Sequence, residues 1–248
     1  MKISRVVMGM PAMVELVGPD ASEEHVRELY ACFDDIDERF STYKETSEIS
    51  AINRGERTPT EYSDDMQEVL RLCDETKSLT QGFFDIKTPD GTLDPSGLVK
   101  GWALERASNL ARKRGYENFY IEIAGDIQTS GTNSDGQQWR IGISNPLHKH
   151  ELVAVVEPRG RGIATSGTAE RGDHIYNPLV PDAAPSELLS ITVIADTIYE
   201  ADRLATAAFA MGVSGLVFLA TLPGVEALAV VPGEEIYMTR GFDQYIVA

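Results

Sequence analysis

Apolar side chains recur every three or four positions at Val26, Leu29, Tyr30, Phe33 and Ile36, and Ser22 stands ahead of them as a cap. That spacing predicts a helix from residue 23 to about residue 40. Met66, Val69, Leu70 and Cys73 repeat the pattern behind Ser63-Asp64-Asp65, which predicts a second long helix to about residue 79, ended by Gln81-Gly82. Two more helix-patterned stretches cover residues 102–114 and 199–211, the latter closed by Gly212. Residues 47–53 read as a short helix or turn.

Alternating and short apolar runs lie between these stretches. Residues 6–17 form one run broken at Gly9-Met10-Pro11. Residues 116–127 alternate like a strand interrupted at Gly125-Asp126, and further strands are expected at 139–144, 152–157, 162–165, 190–195, 225–231 and 235–238. Residues 242–247 are expected to close the sheet. Residues 82–95 read as a loop with one short extended piece, and 173–185 as turns. Strands come in pairs and triplets between helices, without strict βαβ alternation. The pattern therefore predicts an α+β fold with antiparallel or mixed sheets and packed helices. A chain of 248 residues builds one domain over 1–248, or two lobes with a site between them.

Composition narrows the partners. The fractions, 42% hydrophobic and 25% charged, are those of a soluble globule, and the formal net charge is −17. Such a charge repels a phosphate backbone, so nucleic acid is not expected as a partner. An anionic ligand would need a metal ion or a well-placed cation. No stretch approaches the roughly 18 apolar residues of a membrane span, and residues 1–8 carry no secretory pattern. Cys32 and Cys73 form no C-x-x-C, so free thiols are expected. Together these features predict a cytoplasmic protein with no membrane partner.

Candidate chemistry is concentrated in a few places. Residues 93–102 place Asp94, a turn, Gly97, Lys100 and Gly101 ahead of the helix expected at 102. Backbone N–H groups at a helix start favour an anion, and glycines let it approach. The alternative is a solvated helix start with an ordinary lysine. Asp202 and Thr206 lie four apart and share one helix face. They read either as hard oxygen ligands for Mg²⁺ or Ca²⁺ or as a dipole-favoured acid with a threonine bonded back to its own helix. Residues 163–168 read as a small-residue turn that can meet an anion or as a plain turn. His174 in a loop is a candidate general base or a structural histidine, while His148 and His150 read as surface residues. No G-x-S-x-G, H-E-x-x-H or G-x-G-x-x-G after a strand is present.

These segments, taken in order, resemble the ApbE family of FAD:protein FMN transferases. The matching stretches are Met8-Gly9-Met10, Phe40-Ser-Thr-Tyr43 with Ser47-Glu-Ile-Ser50 and Asn53, Gly82-Phe-Phe-Asp85, and Leu93-Asp94 through Lys100-Gly101. They continue with Gly125-Asp126, Ile141-Gly-Ile-Ser-Asn-Pro146, Ala164-Thr-Ser-Gly167, His174-Ile-Tyr-Asn-Pro178 and Ala201-Asp202-Arg-Leu-Ala-Thr206 with Met211-Gly212.

The resemblance implies an ApbE-like, T-fold-like architecture. It implies Mg²⁺-dependent transfer of FMN from FAD onto a threonine or serine of an acceptor flavoprotein, with release of AMP. By the same resemblance Gly97, Asp202, Ala205 and Thr206 are metal ligands, Gly97 through its carbonyl. Met8, Tyr43, Phe83, Phe84, Asp85, Asp94, Lys100 and Tyr176 line the FAD site. Lys100 stabilises the charge at phosphorus, and His174 is the base. Two departures stand out. The family's several tens of residues between Gly-x-Phe-Asp and Leu-Asp shrink here to the stretch from Asp85 to Leu93. Its His-x-x-Asp-Pro-x-Thr-Gly becomes His174 to Asn177-Pro178-Leu179-Val180-Pro181, without the aspartate and the Thr-Gly turn. These departures leave FAD hydrolysis to FMN and AMP, or flavin binding without catalysis, as alternatives.

Overall fold

In the computed structural model, the structure describes residues 1–148, 150–167, 177–180, 187–233 and 235–247. Its centre is one fully antiparallel sheet of eight strands in the order β1-β2-β3-β4-β7-β8-β9-β10. The strands are β1 Lys2–Val7, β2 Met10–Val17, β3 Asn118–Ile123, β4 Asp126–Ser130, β7 Gly162–Gly167, β8 Ser190–Ala195, β9 Glu226–Val230 and β10 Ile236–Met238. Strands β5 Ile141–Ser144 and β6 Leu152–Val156 pair separately as a small ribbon. The α+β expectation holds.

Side-chain alternation decides what covers each face. Ala164, Val193, Ala227 and Ala229 face one way and join the main core with the helices. Their neighbours Ile163, Ile194, Leu228 and Val230 face the other way and pack with Ile141, Ile143 and Val156 of the ribbon. Helix α5 (Ile198–Met211) lies against β7 and β8 on this face. At Gly162 the approach is closest: a β-carbon there would fall 2.3 Å from the backbone nitrogen of Ile198.

Helices α1 (Glu23–Phe40) and α3 (Asp64–Leu79) follow the sequence pattern, each capped by a serine side chain, Ser22 and Ser63. Phe33 is fully buried on α1, where truncation to alanine costs about 3–5 kcal/mol. Residues 47–53 contain the short helix α2 (Glu48–Asn53).

Four expectations need correction. Helix α4 spans Ser96–Lys113, so it begins six residues before position 102. Gly97, Lys100 and Gly101 therefore sit inside its first turns, and the two glycines stand there because α4 packs so closely against α5 at those positions. Met10 and Pro11 belong to β2; the break is the two-residue turn Met8-Gly9, with φ of 50° and 72°. Ala124-Gly125 makes the same kind of turn between β3 and β4, with φ of 49° and 85°. Two positive φ values in a two-residue loop mark the hairpin turn that matches strand twist. Finally, residues 242–245 form a 3-10 turn rather than a strand of the sheet. Phe242 and Tyr245, three apart, are both buried in it, and Ile246 bridges to Val156 of the ribbon. A further helix, α6 (Val213–Leu219), had no counterpart in the pattern, because only Gly215 and Leu219 are buried on it.

Candidate functional site

The antiparallel pairing brings the Met8-Gly9 turn, the Ala124-Gly125 turn, the end of β7 and the start of β8 to one end of the sheet. A cleft of about 1180 Å³ opens there, lined also by the start of α4, by Phe83 to Asp85, and by Ile141 to Pro146. It exceeds the roughly 300–1,000 Å³ of an ordinary small-molecule site.

Two helices form its floor. Gly97 and Gly101 lie one turn apart on α4, and Asp202 and Thr206 one turn apart on α5. A β-carbon at Gly97 would lie 3.1 Å from the Thr206 methyl and 3.9 Å from its hydroxyl oxygen. A β-carbon at Gly101 would lie 2.7 Å from that of Asp202. The glycines are thus close-approach residues, and they press α5's polar pair against the backbone of α4. The Gly101 N–H donates to Asp202 Oδ2 at 2.7 Å. In a regular helix that N–H serves the Gly97 carbonyl, so Asp202 competes for the donor of the carbonyl implied as a metal ligand.

Charge is concentrated at this floor. Lys100 Nζ lies 2.5 Å from Asp126 Oδ2 and 3.5 Å from Asp202 Oδ1. Asp126 Oδ1 accepts the Thr165 N–H at 3.1 Å. Both carboxylates are buried. Burial pushes the Asp202 carboxyl up to about 8, opposed by Lys100 and reinforced by Asp126. One lysine therefore leaves the two acids undercompensated. No hydrogen bond ties the Thr206 hydroxyl to a described residue. A carboxylate, a hydroxyl and a helix-start carbonyl are hard oxygen donors that fit a small dication. Among the described residues no group of three or more His, Cys, Asp or Glu forms a metal cluster, so a metal here would rest on this mixed set.

The expected residues are distributed as follows. Phe83, Phe84, Asp85, Asp94, Gly97, Lys100, Asp202 and Thr206 all line the cleft. Asp94 Oδ1 caps Ser96 N at 3.0 Å, and Asn53 holds both backbone groups of Leu93 beside it. Asp85 is tied to Lys77 Nζ at 2.6 Å and to the Lys87 N–H. Burial works to raise its pKa, and these partners outweigh it and hold it low. Ala205 is buried in the core behind the floor, and Met8 sits at the hairpin turn, partly packed on the core. Tyr43 stands 96% exposed and is not part of the cleft wall. His174 and Tyr176 lie outside the described residues.

A family model described as the ApbE family matches residues 8–89 and 86–229. The chain belongs to the ApbE family. The two matched stretches meet at the shortened segment after Asp85. An FAD:protein FMN transferase of Vibrio cholerae is 30% identical over 166 residues, covering 63% of this chain and 48% of that protein. The chain thus spans about half the length of that relative. One from Haemophilus influenzae is 25% identical over 254 residues, covering 77% and 73%. The flavin transferase ApbE from Vibrio cholerae superposes with a TM-score of 0.87 at 22% identity, covering 99% of this chain and 98% of that one. The ApbE protein of Thermotoga maritima gives 0.87 at 20%, covering 100% and 99%. At these identities the ApbE structures establish the fold.

Sequence reasoning gave no role to several cleft residues. Asp126 was visible only as part of Gly125-Asp126, and its side chain gains meaning from Lys100 and Thr165. Tyr120 and Glu122 alternate outward on β3, and the Tyr120 hydroxyl donates to Glu122 at 2.8 Å. Burial holds that phenol well above its ordinary range. Arg140 and His150 also line the cleft, and no periodicity marks either.

Proposed function

We propose that the protein transfers FMN from FAD onto a threonine or serine hydroxyl of an acceptor flavoprotein and releases AMP. The observation that carries this reading is the floor of the cleft. There Asp202 joins the Lys100 ammonium to the Gly101 N–H, directly beside Thr206 and Gly97.

In this reaction the acceptor oxygen bonds to the phosphorus of the FMN half. The P–O bond to AMP breaks, and the hydroxyl proton leaves to a base. Lys100 presents a fixed cation to the pyrophosphate, where charge grows in the transition state. Asp202, Thr206 and the Gly97 carbonyl would hold Mg²⁺, with Ala205 at the same turn of α5. A bound Mg²⁺ supplies Lewis-acid polarisation of the phosphoryl oxygens. Phe83, Phe84 and the ribbon wall give the flavin or adenine an apolar surface. Met8, Tyr43, Asp85, Asp94 and Tyr176 complete the FAD site by family resemblance, and His174 takes the acceptor proton on the same ground.

The test incubates the protein with FAD, Mg²⁺ and a flavoprotein domain carrying a candidate acceptor threonine, and weighs the domain by mass spectrometry. A mass gain of one FMN, absent in an acceptor threonine-to-valine variant, is expected. AMP and free FMN without any adduct would instead assign the protein to FAD hydrolysis.

A further inference from the structure

We infer that Asp126 is the positioning residue that aims Lys100 into the cleft. The catalytic consequence rests on the reaction proposed above; the positioning itself does not.

A lysine ammonium is a compact charge on a flexible four-carbon stem, so something must fix it. Here the side chain of Lys100 is 18% exposed, while that of Asp126 is 1% exposed. Asp126 is not part of the cleft surface; it lies behind the amine. Its two oxygens are divided between two tasks. Oδ1 accepts the Thr165 N–H of β7, and Oδ2 forms an ion pair with Lys100 Nζ at 2.5 Å. The Thr165 bond orients the carboxylate, and the carboxylate then fixes the amine.

The backbone beneath is equally determined. Asp126 is the first residue of β4, directly after the Ala124-Gly125 turn, and is paired across the hairpin with Ile123. Asp202 also faces the amine, but at 3.5 Å, and its other oxygen is occupied by Gly101 N. Asp126 therefore makes the tighter anchor. It joins α4, β4 and β7 through one side chain; it also faces Asp202, whose carboxyl it helps to raise, but its contact with a basic side chain is with Lys100.

The test is a double-mutant cycle of Asp126→Asn and Lys100→Met. Asparagine keeps the shape and the acceptor for Thr165 N–H and removes the charge. With FAD and Mg²⁺, D126N is expected to lower the kcat of AMP release on the order of 100-fold, the cost of a displaced catalytic group. KM for FAD should stay within a factor of about 3. In the K100M background D126N should cost no more than about tenfold, because most of its effect passes through the lysine and only its contact with Asp202 remains. A second readout uses no nucleotide. Acylation of lysine amines, followed by peptide mass spectrometry, should label Lys100 about tenfold faster in D126N when referenced to exposed Lys2, since the ion pair that holds the amine is lost. If D126N does not fold, Asp126→Glu, whose longer side chain displaces the amine, takes its place with the same expected rise. Unchanged Lys100 labelling, or kcat losses that multiply in the double variant, would overturn the inference. If the wild-type protein releases no AMP, the proposed reaction fails, and the labelling alone decides the role of Asp126.

Discussion

Gly101 of α4 and Asp202 of α5 are in backbone-to-side-chain contact, with the glycine N–H donating to the aspartate at 2.7 Å. Any β-carbon at Gly101 would fall 2.7 Å from the Asp202 β-carbon and 3.0 Å from the Ile198 carbonyl. The carbonyl is backbone and cannot swing aside. Gly101→Ala is therefore expected to destabilise the protein by about 1–3 kcal/mol or more, despite alanine's better helix propensity. Thermal unfolding should show a drop of roughly 2–4 °C per kcal/mol for a chain of this size. An unchanged melting temperature would mean that the two helices are not this close.

Asp202 makes stability depend on pH in a defined direction. Burial raises its carboxyl from 3.8 to about 8, so the native state favours the protonated form. The stability it contributes is fully present below the unfolded value and is lost as pH rises through the folded one. Asp202→Asn lacks that loss. Without divalent cations, the melting temperature of D202N minus that of wild type should be small near pH 4, grow toward about pH 8, and level off above it. A difference that stays flat across that window would show that Asp202 is not held protonated.

The Thr206 methyl packs against Gly97, and its hydroxyl has no bond to a described residue. Thr206→Val keeps the branched shape and removes the oxygen. It should fold as stably as wild type and should need at least about tenfold more Mg²⁺ for half-maximal AMP release, the cost of one lost ligand oxygen. A Mg²⁺ titration of initial rates reads this directly. An unchanged requirement would remove Thr206 from the metal set.

Tyr43 is 96% exposed, so its ring contributes nothing to the core. Tyr43→Ala should leave stability within about 0.5 kcal/mol. If Tyr43 closes over bound FAD, KM for FAD should rise several-fold while the melting temperature holds. Equal KM values would place FAD wholly within the cleft wall.

The sequence made the covered elements legible and the shared ones less so. Helix α1 follows from its period, since one face lies in the core, and β8 from a short unbroken apolar run, since both its faces are buried. The start of α4 was obscured because Gly97 and Gly101 have the composition of a turn and the function of a seam. That function exists only once α5 is alongside. Helix α6 is apolar nearly all round, with Val213, Leu216, Val217, Phe218 and Leu219, and so gave no period. Residues 242–247 end in an apolar run that suggests a closing strand, yet Phe242 and Tyr245, three apart, are buried together by a 3-10 turn. At the site, Lys100, Asp202 and Thr206 were recognisable by spacing and resemblance. Asp126 was not, because its partner lies across three elements of the fold.

The central claim is that the polar floor between α4 and α5 cleaves FAD with a divalent cation. Liquid chromatography with mass spectrometry of FAD incubated with the protein, an acceptor flavoprotein domain and Mg²⁺ tests it most directly. AMP should appear with time, disappear when EDTA is added, and be absent with D202N. Intact FAD under these conditions, or AMP that persists through EDTA and in D202N, would contradict it.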